Sequence, residues 1–236
     1  MPSLSLSFLS LGGVFASLVF FIVGCAEVTE GPETVQFHVV LKDWFDVEEP
    51  PVEGAEMCQD TANCATTDVG GSVILTLPAN ERVSWTFMKD GYGSTLSGDV
   101  TDATFDASRG LWMSSDEWFT KEFTRLDTPY APRGTGAVFI AMFPPFAGVT
   151  FGNVDATGET FYFDEEMRMQ LGLDATTSSG WGGFIEVGAG ELQVEIGGTG
   201  VGCSPGTAWP GDEPDRIRVP VREGYITYAS ILCPLP

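Results

Sequence analysis

The sequence predicts a mainly-β chain of two tandem sandwich modules joined by one short helix, and three observations carry that prediction. The first is an internal repeat. Pro50-Pro51-Val52-Glu53-Gly54, followed by Ala65-Thr66-Thr67, returns as Pro144-Pro145-Phe146-Ala147-Gly148, followed by Ala175-Thr176-Thr177. In both copies a glycine turn and an alternating strand come next, so one structural unit occurs twice. The second is composition. The chain has 29 glycines and 17 phenylalanines against only 11 basic residues, a profile of short strands between tight turns rather than long helices. The third is length, because 236 residues accommodate two modules of roughly 100 residues each.

Taken in order, Thr34–Leu41 alternates with Val35, Phe37 and Val39 on one face, the period of a half-buried strand. Asp46–Pro51 is an acidic, rigid connection. Val52, Ala55 and Met57 belong to the next strand, with Gly54 permitting a bulge or close backbone approach. Asp68-Val69-Gly70-Gly71 is a hairpin-type turn, and Val73, Leu75, Leu77 and then Val83, Trp85, Phe87 alternate inward. The polar stretch Ser94–Arg109 reads as an edge strand plus linker. Ser114-Ser115-Asp116-Glu117 has the form of a capping box. Phe119, Phe123 and Leu126 follow at helical spacing, and Thr128-Pro129 stops the helix. The helix is expected to plug the junction between modules. Ala137–Phe143 is a buried strand. In the second copy Trp181-Gly182-Gly183-Phe184 is expected to replace the simple turn, with Leu192, Val194 and Ile196 on the next strand. Val219 through Ala229 predict a closing hairpin.

The first 25 residues contain no charged side chain, and Val14–Val23 is an apolar run of the length of a secretory leader core, short of the ~20 residues a spanning helix wants. It ends in Ile22-Val23-Gly24-Cys25, which resembles the lipobox of bacterial lipoproteins. The resemblance implies cleavage before Cys25 and its acylation, by palmitate among other chains. Ala26 carries no acidic inner-membrane retention cue, so the implied address is the outer membrane, periplasmic or surface-facing. The partner there is the lipid bilayer, held through acylated Cys25. The expected organisation is a leader at 1–24, a tether at 25–33, a first module at 34–110, a helical linker at 111–132 and a divergent second module at 133–236.

The first module resembles a known family more closely. Strand 34–41, the turn Pro51-Val52-Glu53-Gly54-Ala55, the step Ala65-Thr66-Thr67-Asp68-Val69-Gly70-Gly71, the turn Leu77-Pro78-Ala79 and the strand ending in Gly91-Tyr92 are similar to the carboxypeptidase regulatory-like domain. Its members are transthyretin-like Greek-key sandwiches within the carbohydrate-binding-like folds. The resemblance implies a fold and an accessory role, not peptidase activity.

Net charge of −22 argues against nucleic acid, whose phosphates need clustered Lys and Arg. With Cys25 lipidated, Cys58, Cys64, Cys203 and Cys233 form two disulfides in an exported chain. Three connectivities are open, and pairing within modules gives Cys58–Cys64 and Cys203–Cys233. No catalytic residue, resident metal or cofactor is expected. His38 is the single histidine, and no nucleophile elbow or zinc-binding helix accompanies it. Paired carboxylates for glycoside cleavage cannot be picked out among 33 acidic residues. Asp164-Glu165-Glu166 and Asp212-Glu213-Pro214-Asp215 offer oxygen ligands to calcium, yet neither matches an EF-hand loop, and solvated loop charge is the simpler reading. For ligand stacking the candidates are Trp181 and Trp209, with Trp44 also near a loop; the alternative is that these rings cap the two cores. The function expected is a non-enzymatic envelope protein with a structural, adhesive or binding role toward a polysaccharide or protein partner. The alternatives are a carbohydrate-binding module and a carboxylate-based hydrolase.

Overall fold

A computed structural model describes residues 33–44, 48–59, 61–130, 134–154 and 157–234. The leader, Cys25 and most of the tether lie outside the described residues. Strand β1 (Thr34–Asp43) buries Phe37, Val39 and Leu41 on one face, as the alternation requires. The short strands β2 (Glu56–Cys58) and β3 (Cys64–Thr66) pair across the Cys58–Cys64 disulfide. Val52–Ala55 is a turn ahead of β2, and Gly54 there has φ +73° with open space around it. Strands β4 (Ser72–Pro78) and β5 (Arg82–Met88) carry the two inward triads. The turn before β4 is held by Asp68, whose Oδ1 accepts from the N–H groups of Gly70 and Ser72 at 2.8 and 2.9 Å. Gly71 beside it has φ +71°, and a Cβ there would overlap the Leu41 carbonyl.

Strands β6 (Thr95–Val100) and β7 (Ser108–Met113) follow, then helix α1 (Asp116–Arg125). Ser115 caps the helix, its side chain accepting from Trp118 N–H at 3.2 Å, while Asp116 and Glu117 complement the dipole of the first turn. The remaining strands are β8 (Thr135–Phe143), β9 (Val149–Asn153), β10 (Glu159–Phe163), β11 (Met169–Gln170) and β12 (Trp181–Gly188). After them come β13 (Gly190–Gly198), β14 (Ser204–Thr207), β15 (Trp209–Pro210), β16 (Arg216–Val221) and β17 (Ile226–Leu232).

Three sheets result. A small sheet has the order β4-β1-β7, and a second has the order β15-β16-β13-β9. Between them runs a sheet of ten strands, β11-β10-β12-β8-β17-β6-β5-β2-β3, with β14 attached to β17. The first half is thus a sandwich of β4-β1-β7 on the β5 end of the long sheet, around Phe37, Leu75 and Trp85. The second half sandwiches β9, β13 and β16 against β8, β12 and β17, around Ile140, Val194 and Ile217. Fully burying each such side chain contributes about 1.5–3 kcal/mol. On the opposite face of the same strands α1 buries Phe119 and Phe123 against Phe139, Phe161 and Phe163. Strand β8 is therefore covered on both faces, which explains its unbroken apolar run. The start of α1 is tied to the first half, because Gly93 N–H donates to Ser114 O and Asp116 N–H to Gly91 O, each at 3.0 Å.

The internal repeat has a hydrogen-bonded counterpart. Thr67 Oγ1 donates to Val52 O at 2.6 Å and accepts from Ala55 N–H at 2.8 Å; Thr176 Oγ1 donates to Phe146 O and accepts from Val149 N–H, both at 3.0 Å. Both threonines are buried. The equivalence is offset by one residue from the sequence match, pairing Thr67 with Thr176 rather than with Thr177.

Three expectations are revised. Ser94–Arg109 contains no linker-edge strand at its start: β6 is interior, between β17 and β5. Its odd residues face β7, and Gly98 faces Pro220 and Trp209, so polar Thr95, Ser97 and Asp99 are buried by layers on both sides. Trp181-Gly182-Gly183 is strand, not turn. The turn is Thr177–Gly180, and the two glycines let β12 approach β10 and β8. Finally, β16 and β17 do not form a hairpin. They lie in different sheets, and β17 runs parallel to both β8 and β6.

Candidate functional site

Strand β7 positions the most distinctive feature of the surface. His38 N–H donates to Ala107 O and Trp44 N–H to Met113 O, so the odd-numbered backbone groups of β7 face β1. By the same ladder, the even-numbered groups of Ser108, Gly110 and Trp112 point to the open edge of the small sheet. Asp106 Oδ1 accepts from Ser108 N–H at 3.0 Å. The outward backbone groups of Gly110 and Trp112 have no partner among the described residues.

Beside this edge, over the long sheet, lies a cleft of about 260 Å³ bounded by Trp44, Trp112, Phe143, Trp181 and Tyr228. It adjoins a second cavity of about 580 Å³, with Asp106, Arg109, Thr207 and Ser230 lining both. The two make one trough along β7. Its aromatic end is built by ring contacts: Trp44 meets Trp181 with centroids 4.1 Å apart and Tyr228 edge-on at 5.7 Å. Behind them Trp118 stacks on Phe163. The Tyr228 hydroxyl lies 3.1 Å from Ser114 Oγ, and burial pushes its pKa up. Trp112 Nε1 is buried without an acceptor. Phe143, at the border of this cleft, and its paired neighbour Leu232, which lines the second cavity, are 40 % and 51 % exposed.

The polar side of the trough rests on Arg109, which points inward and meets Asp99 Oδ2 at 2.6 Å. Arg109 Nε also donates to Asp106 O at 3.1 Å, and the guanidinium sits 5.1 Å from the Phe105 ring centroid. Burial pushes the Asp99 carboxyl above its ordinary value, and the charge of Arg109 opposes this only in part. Asp102 and Asp106 at the mouth are exposed.

Among the residues singled out from sequence, Trp181 lies in the trough and Trp44 joins it there. Trp209 does not. It is buried, and its Nε1–H is shared between Val83 O at 3.1 Å and Asp99 O at 3.0 Å, so its face is unavailable for stacking. Its role is to fasten the second sandwich to β5 and β6. Cys58–Cys64 and Cys203–Cys233 are both disulfides. Glu56 lies close to the first pair, but those sulfurs are bonded to one another and offer no thiolate to a metal. His38 Nε2 lies 2.7 Å from Ser72 Oγ on the outer face of β1, an ordinary strand contact. The acidic loops are occupied from within. Asp164 accepts from Arg168 and Gln170, Asp212 pairs with Arg218, Glu213 with Arg216, and Asp215 accepts from Gly202 N–H. Trp112, Tyr228 and the Arg109–Asp99 pair were not legible as site residues. The alternation Arg109, Leu111, Met113 was the available signal that Arg109 points inward.

No protein family matches the chain by sequence, and no curated protein is similar to it. Among solved structures it is similar to the Bacillus anthracis TIE protein at 10% identity and TM-score 0.27, covering 85% of this chain and 34% of that one. The minor pilin GBS52 of Streptococcus agalactiae matches at 13% identity and TM-score 0.24, covering 86% and 98%. The shaft pilin SpaA of Lactobacillus rhamnosus GG, as its D295N mutant, matches at 11% identity and TM-score 0.27, covering 86% and 100%. The chain thus spans about a third of the length of the first of these. TM-scores this low carry no argument about function.

Proposed function

We propose that this chain is a non-enzymatic lipoprotein of the outer membrane with a structural or adhesive role, whose partner is seated in the aromatic trough beside β7. The observation that carries the binding role is the trough itself, where half-buried tryptophans from both halves meet next to backbone groups that have no partner among the described residues. The address is supported by the sequence Ile22-Val23-Gly24-Cys25 after an apolar leader. With a net charge of −22 the folded part has no electrostatic attraction to anionic lipid, so acyl chains on Cys25 would supply the anchoring at about 0.8 kcal/mol per buried methylene. The likeness of 34–110 to carboxypeptidase regulatory-like modules supports an accessory rather than a catalytic part. The address is tested by metabolic labelling with radioactive palmitate. Label and membrane association lost in Cys25→Ala are expected; a wild-type protein that takes up no label refutes the lipoprotein reading.

The Trp44–Trp181 pair favours one alternative, a carbohydrate-binding module whose sugar rings stack on these faces. It predicts glycan-array signals that disappear with Trp181→Ala, and a blank array with folded protein removes it.

A further inference from the structure

We propose that the trough receives an extended, basic and apolar peptide segment of a partner protein, which adds to β7 as a fourth strand of the small sheet. The inference rests on the reading of the trough as the binding seat and names what occupies it. Backbone geometry is the first argument. Gly110 and Trp112 present N–H and C=O groups at strand spacing to the open edge, with no partner among the described residues. A peptide strand satisfies such a row; a sugar does so only by chance.

Among the described residues the edge also lacks the usual protection. Charged side chains, proline or a covering loop normally blunt an exposed edge. The side chains of β7 that share the outer face are Ser108, Gly110 and Trp112, and Gly110 is exposed with open space around it. The floor supplies pockets for alternate side chains. Trp44, Trp181 and exposed Phe143 lie at one end, and exposed Leu232 at the other. Charge selects the partner. Asp102 and Asp106 stand at the mouth, and Arg109, the one cation lining the trough among the described residues, is spent on Asp99. A second copy of this chain, itself at −22, would be repelled, whereas a segment alternating Lys or Arg with apolar residues is attracted.

The test uses the full chain in detergent micelles and three probes: the peptide Lys-Val-Lys-Tyr-Lys-Val-Lys with blocked ends, its Glu-for-Lys counterpart, and chitohexaose. Amide hydrogen exchange reads the edge directly in the unaltered protein. The Lys peptide is expected to slow exchange at the Gly110 and Trp112 amides by about tenfold or more, the signature of newly formed ladder bonds. The Glu peptide is expected to leave them unchanged. Gly110→Pro removes an outward N–H while sparing the β1 ladder, and should weaken the Lys peptide by about tenfold. Binding that leaves both amides unprotected, or that survives Gly110→Pro in a protein of unchanged circular dichroism, overturns strand addition. Should Gly110→Pro not fold, the exchange result on the wild type decides alone. Trp181→Ala separates the two readings. If it weakens either the Lys peptide or chitohexaose while the two amides stay unprotected, the seat stands and strand addition falls. If no probe binds, or if Trp181→Ala binds every probe as the wild type does, the seat reading falls as well.

Discussion

Thr67 and Thr176 show how much a single hydroxyl can organise. Each closes a proline-glycine turn by donating to one backbone carbonyl and accepting from one backbone N–H, and each is buried. The repeated Ala-Thr-Thr motif is thus a requirement for a small, branched residue that carries both a donor and an acceptor. Replacing Thr176 by Val keeps the shape and strands Phe146 O and Val149 N–H. A loss of about 1–3 kcal/mol is expected for Thr176→Val, and likewise for Thr67→Val, measured by urea unfolding. A change under ~0.5 kcal/mol at either site would show that water enters to replace the hydroxyl. That a motif recurs was readable in the sequence. Which threonine of each pair makes the bonds was not, because the offset of one residue depends on where each turn enters its strand.

At the scale of elements, strand position rather than strand content escaped the sequence. The alternations of β1 and β4 are plain, because each has one wetter face and one dry face. Those of β5 and β13 are plain because their other face is mostly polar, even where Thr86 and Gln193 are buried. The polar Thr95, Ser97 and Asp99 suggest an edge for β6, yet it is covered on both faces. Thr95 donates to Gly93 O, Ser97 to Tyr228 O, and Asp99 is ion-paired with Arg109. The glycines of β12 suggest a turn where the chain forms a strand. Gly183 lies against β8, where a Cβ would overlap Val138 O. Gly183→Ala should therefore force β12 away from β8 and cost on the order of 3 kcal/mol, seen as a lowered midpoint in thermal unfolding. An alanine variant as stable as the wild type would mean that the β8–β12 contact has slack.

The molecule as a whole is tied together more tightly than two beads on a string. Strand β17, the last described strand of the chain, pairs parallel with β6 of the first half and β8 of the second. Trp209 adds a hydrogen-bonded plug from the second sandwich into β5 and β6. Residues Pro32–Pro236 accordingly cluster as one compact unit. Calorimetry on the oxidised protein should show a single cooperative transition, with calorimetric and van't Hoff enthalpies equal. Two resolved transitions would show that the shared sheet does not couple the halves. The trough belongs to this scale too. Its walls come from β7, β8, β12 and β17, so it exists only once the halves have joined.

By itself the sequence determined the mainly-β class, the repeated motif, the inward triads and the capped helix. All of these depend on neighbours close in the chain or on a period that a strand or helix imposes locally. Only the tertiary structure decided that the two sandwiches share a ten-stranded sheet, that Trp209 is interior while Trp181 lines a trough, and that the outer edge of β7 has no strand partner among the described residues. Those outcomes depend on which strand comes to lie beside which, and long-range pairing across some 130 residues, as between Thr95 and Ile226, leaves no periodic mark on either partner.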